Sequence, residues 1–102
     1  MVNERKSWAE SLNIIVQNYF KEHLPLFTLQ SETSHDPYWG VEYIFDETIV
    51  EIKGDIGFEI NIEIGNTKFD LWQFDRSVND HMETNKDNIL FQLNVLRKFL
   101  SK

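Results

Sequence analysis

Apolar side chains recur every three or four residues near the start of the chain, which indicates an amphipathic helix. The stripe comprises Trp8, Leu12, Ile15, Val16, Tyr19 and Phe20. Ser7 and Glu10 have the spacing of a capping box, in which each side chain accepts a hydrogen bond from a free backbone N–H. The helix should end near Leu24, because Pro25 disfavours helical geometry in the residue before it. We therefore predict a first helix over about Trp8 to His23.

A second stripe of this kind lies close to the C-terminus and predicts a second helix. It comprises Ile89, Leu90, Leu93, Leu96 and Leu100. Three basic residues lie near its C-terminal end, where positive charge suits the helix dipole: Arg97, Lys98 and Lys102. The polar segment Asp75 to Glu83 should lead into this helix, with Asp80 or Thr84 as its N-cap.

Between the stripes the hydrophobic pattern changes to alternation with a period of two, which is typical of β-strands. The clearest strand is Phe58 to Ile64, in which Phe58, Ile60, Ile62 and Ile64 share one face while Glu59, Asn61 and Glu63 share the other. Further strands are predicted over Trp39–Phe45, Thr48–Lys53 and Thr67–Phe74, and a short one over Leu26–Gln30. The segment Ser31 to Pro37 has the composition of a loop. Turns are predicted at Asp46-Glu47, at Gly54 to Gly57 and, as a tight hairpin with positive φ angles, at Gly65-Asn66.

This order of elements predicts an α+β fold, in which a four- to five-stranded antiparallel meander sheet carries both helices on one face. The 102 residues, 41% of them hydrophobic, suit one domain (residues 1–102) with one core. The chain has no cysteine, which favours a reducing compartment. Its first ten residues lack the apolar run of a signal peptide, and no segment approaches the length of a membrane span. We expect a cytoplasmic location.

Negative charge is concentrated in the middle of the chain. The formal net charge is −7, and from Ser31 to Glu83 thirteen acidic residues face three basic ones. Such a field repels phosphate backbones and anionic membranes and attracts basic partners. We therefore expect a basic protein partner rather than nucleic acid or a membrane, although the same acids would also keep a small protein soluble.

No combination of residues predicts catalysis or a cofactor. The possible metal ligands His23, His35, Asp36 and His81 lack the spacing of a known metal motif. The four glycines are spread over turns and form no phosphate loop, and no cysteine or elbow serine offers a nucleophile. We predict no catalytic residue, no cofactor and no metal site.

Two aromatic segments are candidates for recognition. In Asp36 to Gly40, Tyr38 has the character of an interface anchor, whereas Trp39 suits the start of a core strand. In Lys68 to Arg76, Trp72 and Phe74 form either a recognition patch or a second small core. Together with the acids of the predicted strands, the expected partner-binding residues are Asp36, Tyr38, Glu42, Glu59, Glu63, Asp70 and Trp72.

The stretch IEIGNTKFDLWQFDRSV (Ile62 to Val78) resembles segments of small bacterial immunity proteins that neutralise a cognate toxin. The resemblance covers about a sixth of the chain and assigns no functional residue. It implies an intracellular inhibitor whose acidic surface meets a basic toxin face. Two alternatives remain open: a ligand-binding or enzymatic domain whose pocket gathers Tyr43, Trp72 and several acids, and a subunit that dimerises through an exposed strand or an uncovered sheet face.

Overall fold

The computed structural model describes residues 7–101, in which a helix, five strands and a further helical region follow one another along the chain. The predicted α+β architecture is confirmed. The elements are α1 (Trp8–His23), β1 (Thr28–His35), β2 (Tyr38–Phe45), β3 (Thr48–Gly54), β4 (Phe58–Ile64), β5 (Thr67–Asp70), the short α2 (Leu71–Phe74) and α3 (Lys86–Leu100).

Helix α1 has the bounds that the sequence predicts, and its capping box is formed. The Ser7 Oγ accepts a hydrogen bond from the Glu10 N–H at 3.1 Å, and the Glu10 carboxylate accepts one from the Ser7 N–H at 2.9 Å. At the other end the Leu24 N–H donates to the Phe20 carbonyl, and the chain then leaves the helix at Pro25. The two ends are therefore set by local chemistry.

The five strands form one sheet in the order β1-β2-β3-β4-β5, with each strand antiparallel to the next. This is the predicted meander. The turns at Asp46 and Gly65 have positive φ angles of 57° and 61°. In the Gly65-Asn66 hairpin, Gly65 alone has a positive φ, so the prediction for Asn66 is wrong.

The structure corrects the prediction of a loop from Ser31 to Pro37. Strand β1 continues to His35 and pairs with β2, for example Ser34 with Trp39. All eight of its residues are exposed, so no alternation of apolar and polar residues marks it in the sequence. Main-chain pairing with β2, rather than burial of side chains, defines this strand.

The strand predicted from Thr67 to Phe74 is also too long. It ends at Asp70, and Leu71 to Phe74 form α2 instead. The Gln73 side chain accepts a hydrogen bond from the Asp70 N–H at 2.8 Å, which is half of a capping box and starts the helical turn. Because the chain turns here, Trp72 and Phe74 do not share a sheet face with Asp70.

Helix α3 begins after Asn85, so Asp80 and Thr84 are not its caps. The Asn85 side chain accepts from the Asn88 N–H at 2.8 Å. Asp80 instead closes a 3₁₀ helix over Arg76–Asp80, whose cap is Asp75. Hydrogen bonds from the Ser77 hydroxyl (2.6 Å) and backbone N–H (3.0 Å) lower the pKa of Asp75.

Both long helices lie on the same face of the sheet, as predicted. The ring of Phe20 in α1 stacks on Tyr43 of β2 at 3.9 Å between centroids, and Phe99 of α3 contacts Phe69 of β5 at 6.0 Å. The Tyr19 hydroxyl joins the helices by donating to Asn94 Oδ1 at 2.7 Å. We call this side the covered face; its buried apolar strand residues are Trp39, Val41, Tyr43, Val50, Ile52, Phe58, Ile60 and Ile62.

The core thins at one end of the covered face. Ile64, predicted to be buried, is 40% exposed, and Phe45 is 43% exposed. Both pair with Thr48 in the last row of the sheet, beside the turns and level with the ends of α1 and α3 at His23 and Leu100. The prediction for Ile64 is wrong because helix cover stops at this row.

Candidate protein-binding surface

The side of the sheet away from the helices carries most of its charged residues. Paired residues of neighbouring strands project to the same side, so the register assigns every strand position to one face or the other. We call this side the open face; in strand order it comprises Thr28, Ser31, Thr33, His35, Tyr38, Gly40, Glu42, Ile44, Ile49, Glu51, Lys53, Glu59, Asn61, Glu63, Lys68 and Asp70.

One row of the open face crosses all five strands and is acidic. Ser31, Glu42, Glu51, Asn61 and Asp70 are paired in succession from β1 to β5. At one edge the Ser31 hydroxyl donates to Glu42 at 3.4 Å, and at the other the Asn61 amide donates to Asp70. In the centre Glu42 and Glu51 lie directly opposite each other, an arrangement that destabilises a sheet.

The neighbouring row is apolar at its centre and charged at one end. Ile44 and Ile49 are half-buried partners on β2 and β3, and Glu63 and Lys68 are partners on β4 and β5. A depression of about 470 Å³ lies over β3, β4 and β5 and is lined by Ile49, by acidic residues of both rows and by Lys53 and Lys68. The open face thus has a small apolar centre within charged surroundings.

Lysine neutralises part of this charge. Five acidic residues of the open face (Glu42, Glu51, Glu59, Glu63 and Asp70) stand against Lys53 and Lys68. The ammonium of Lys53 lies 3.6 Å from the Glu51 carboxylate, and both groups are well exposed. Exposed pairs of this kind contribute little stability. With five acidic residues against two lysines, the face is negative overall.

A corner of the open face borders a groove of about 580 Å³. Tyr38, which is 55% exposed, stands at this corner, whereas its neighbour Trp39 is only 1% exposed. Trp39 therefore lies in the core, as its position in the strand predicts, and Tyr38 presents its ring to solvent.

The predicted partner-binding residues fall in two groups. Tyr38, Glu42, Glu59, Glu63 and Asp70 come together on the open face. Asp36 and Trp72 lie elsewhere and are described next.

The carboxylate of Asp36 is engaged within the fold, and Trp72 lies on a different element. Asp36 accepts a hydrogen bond from the Ala9 N–H in the first turn of α1 at 2.8 Å. Trp72 lies on α2 and is 40% exposed. Of the alternatives for its segment, Phe74 packs on Phe99 of α3 at 5.1 Å and so belongs to the core margin.

Sequence reasoning did not select Glu51, Ile44 and Ile49 as candidates. The available signal was the alternation in Thr48 to Gly54, where Val50 and Ile52 are buried and Ile49 and Glu51 must face the other way. The acidic row could not be predicted from the sequence, because only the register between strands aligns Glu42, Glu51 and Asp70.

Three further findings concern metal ligands, the alternative of a pocket near Tyr43, and membrane helices. Within residues 7–101 no three histidines or carboxylates cluster as metal ligands would. Tyr43 stacks in the core on Phe20. The cavity that it borders is lined by α1, by Pro25 and Phe27 after that helix and by Leu29 of β1, not by Trp72. In the same described range, no helix has the length and apolar character needed to cross a membrane.

Comparisons with protein-family models, with curated proteins and with solved structures found no match. The function must therefore be argued from the open face and the groove beside it.

Proposed function

We propose that this chain is a non-catalytic binding protein of the immunity or inhibitor kind, which occludes a basic protein partner with its open face. The observation that supports this most is the row of Glu42, Glu51 and Asp70 across the sheet. Facing carboxylates cost stability in the isolated chain. A cationic surface docked on the row would relieve that repulsion.

The composition of the open face also favours a protein over a small molecule. Ile44 and Ile49 give it a modest apolar centre, and carboxylates, amides and hydroxyls surround them. Interfaces commonly have this arrangement of an apolar core within a polar rim. Five strands spaced about 4.8 Å apart make a face about 19 Å wide, broad enough for one helix of about 10–12 Å.

A second copy of the chain is a poorer occupant. Face-to-face pairing would place five acidic residues and two lysines against the same set, so that like charges meet over most of the contact. The negative field of the open face attracts a basic partner, whereas it repels a second copy of the same face. The proposal includes a cytoplasmic location and the inhibition of a toxin. Both are implied by the resemblance of the segment from Ile62 to Val78 to small bacterial immunity proteins.

The experiment compares two variants that change the net charge equally. Glu42→Gln, Glu59→Gln and Glu63→Gln are combined in one variant, and Glu22→Gln, Glu47→Gln and Asp80→Asn, all exposed and off the open face, form its control. Proteins captured on the wild-type chain from cells of its source are identified, and their binding kinetics are measured at several salt concentrations.

We expect a captured protein with a basic surface whose association rate falls as salt rises, because exposed charges are screened over about 8 Å at physiological ionic strength. The open-face variant should associate at least about tenfold more slowly at low salt, with a smaller change in dissociation. The control should stay within about twofold, as charges outside a contact contribute little. An association rate that ignores salt, or that falls equally in both variants, contradicts the proposal.

A further inference from the structure

The groove beside Tyr38 lies where β2, β3 and β4 end at one corner of the open face. Its lining includes Tyr38, Trp39, Phe58 and Glu59 from the strands and Asp55 from the turn between β3 and β4. At about 580 Å³ it is within the range of small-ligand sites. We propose that this groove binds a guanidinium group, namely an arginine side chain of a protein partner.

Glycines allow the end of β3 and the following turn, which border the groove, to approach closely. A Cβ added to Gly54 would come within 2.3 Å of the Gly57 carbonyl oxygen, and one added to Gly57 within 3.3 Å of the Met82 carbonyl oxygen. The strand end and the turn therefore approach each other as bare backbone. Side chains at these two positions would displace the walls.

The turn that forms one wall is fixed by hydrogen bonds. The Asp55 N–H donates to the Gly57 carbonyl at 2.8 Å, and the Asp55 carboxylate accepts from the Gly57 N–H at 3.3 Å. The Trp39 indole N–H donates to the Asp55 carbonyl at 3.3 Å, which ties the turn to the core. The Phe58 N–H likewise donates to Met82 at 2.9 Å. The groove is thus formed before any ligand arrives.

The aromatic surface of the groove is the exposed ring of Tyr38, which suits a flat cation. The rings of Trp39 and Phe58 lie 5.6 Å apart between centroids, but they belong to the covered face and are 1% and 3% exposed, so they hold the strand ends in place behind the groove. The exposed ring of Tyr38 stands at the opening. An arginine side chain lays its methylene groups on apolar surface and stacks its guanidinium on an aromatic ring.

The charges at the rim favour a cation. Glu59 and Asp55 contribute two carboxylates, and that of Glu59 has no hydrogen-bond or ion-pair partner within residues 7–101. The single base of the lining, Lys53, is the register partner of Glu59, and its ammonium lies 3.6 Å from the carboxylate of Glu51 in the acidic row. Glu83, bridged to Gly57, adds a further negative charge nearby. Two carboxylates next to a ring match the planar, five-donor guanidinium better than a compact ammonium.

This inference rests on the proposed function for the source of the arginine, because Tyr38 and Glu59 belong to both the groove and the open face. The chemistry of the groove is testable without any partner. N-acetyl-L-arginine amide is titrated into the ¹⁵N-labelled chain, and the backbone amides of Gly54 and Gly57 and the Trp39 indole N–H are followed by NMR. N-acetyl-L-lysine amide and N-acetyl-L-leucine amide are titrated in parallel.

We expect saturable shifts at these three reporters with a dissociation constant in the millimolar range, as befits a ligand worth about 4 kcal/mol. The lysine compound should bind at least about threefold more weakly, and the leucine compound more weakly still. Combining Asp55→Asn with Glu59→Gln should weaken arginine binding at least about tenfold, since two charge-assisted hydrogen bonds are lost. Asparagine at position 55 keeps an oxygen that accepts from Gly57, so the turn should persist.

The matched control combines Glu47→Gln with Asp80→Asn, two exposed acids outside the groove, and should leave arginine binding within about twofold. Equal binding of the leucine compound, equal weakening by the control, or shifts spread over the whole acidic row without saturation at the groove would each overturn the inference. If arginine saturates the groove while the captured partner ignores salt, the proposed function fails and the groove site stands. If the partner is steered by salt but arginine does not saturate the groove, only the inference fails.

Discussion

The two faces of the sheet differ in composition, and the difference has two separate causes. On the covered face, aromatic and branched side chains such as Trp39, Tyr43 and Ile62 exclude water beneath two helices. On the open face, Glu42 and Glu51 oppose each other although a neutral or oppositely charged pair would stabilise the sheet better. Folding accounts for the first composition. It does not account for the second, which the proposed docking of a basic partner would explain.

The largest change in the free energy of unfolding should come from removing apolar volume from the covered face. Ile62 is 1% exposed and lies between Val50 and Phe69 in the register. Ile62→Ala should lower the free energy of unfolding by about 2–5 kcal/mol, through lost burial and the cavity left behind. Urea denaturation followed by Trp fluorescence measures this loss.

An open-face position of the same strand serves as its control. Glu59 is exposed, and Glu59→Ala should change the free energy of unfolding by less than about 0.5 kcal/mol. A loss at Ile62 as small as that at Glu59 would mean that the strand faces are assigned wrongly, because a one-residue slip exchanges them.

A smaller effect of opposite sign is expected on the acidic row. Glu42→Gln removes the repulsion with Glu51 and keeps an oxygen that accepts from Ser31. The free energy of unfolding should rise by about 0.2–1 kcal/mol at low salt, and the gain should shrink as salt screens the repulsion. Denaturation of both proteins at low and high salt checks this.

Glu22→Gln, an exposed change on α1, is the matched control and should show no comparable gain. If Glu42→Gln destabilises the chain at every salt concentration, the acidic row does not cost stability, and the contrast between the faces loses its main support.

The smallest effect is on the pH dependence of stability, through the ionisation of Tyr43 on the covered face. Burial raises the pKa of Tyr43, and the nearby Glu32 carboxylate raises it further. Since the folded pKa lies above the unfolded one, this group's stabilising contribution is present at neutral pH. It is lost as the pH rises past the ordinary value of about 10 and through the folded pKa.

Tyr43→Phe should therefore leave stability nearly unchanged at neutral pH, because the Tyr43 hydroxyl has no hydrogen-bond partner within residues 7–101. Between about pH 9 and pH 11, a range that includes the ordinary tyrosine value of about 10, the stability of this variant should fall less steeply than that of the wild type. Urea denaturation across this range compares the slopes. Parallel slopes would show that the Tyr43 phenol is not desolvated on the covered face.

Local signals in the sequence predicted the parts of the fold that local chemistry determines. The capping box at Ser7 and the proline at position 25 gave the bounds of α1, and strict alternation gave those of β4. Of strand β1 only the start was predicted, within Leu26–Gln30; its continuation to His35 was missed because its residues are exposed on both sides and show no period. The end of β5 was missed because the spacing of Asp70 and Gln73 was not recognised as a helix start.

The candidate site was predictable only in part, for the same physical reason. Alternation placed Glu59 and Glu63 on a wet face, and composition pointed to Tyr38. Asp36 was selected on the same grounds, as an acidic residue beside Tyr38. In the fold its carboxylate instead accepts a hydrogen bond from the first turn of α1. The alignment of Glu42 with Glu51 depends on pairing between strands, and the groove depends on where Gly54 meets Gly57; neither follows from one segment alone.

The meander topology has a consequence for how the chain folds. Every strand pairs with its neighbour in sequence, so forming the sheet closes only short loops, for which the entropy cost is small. The contact between Tyr19 and Asn94 joins residues 75 positions apart, and docking the two helices is the step that depends on distant parts of the chain. Topologies dominated by near-neighbour contacts fold fast. The acidic face, built wholly from residues 28 to 70, thus belongs to the part of the molecule that needs the least of the chain in order to form.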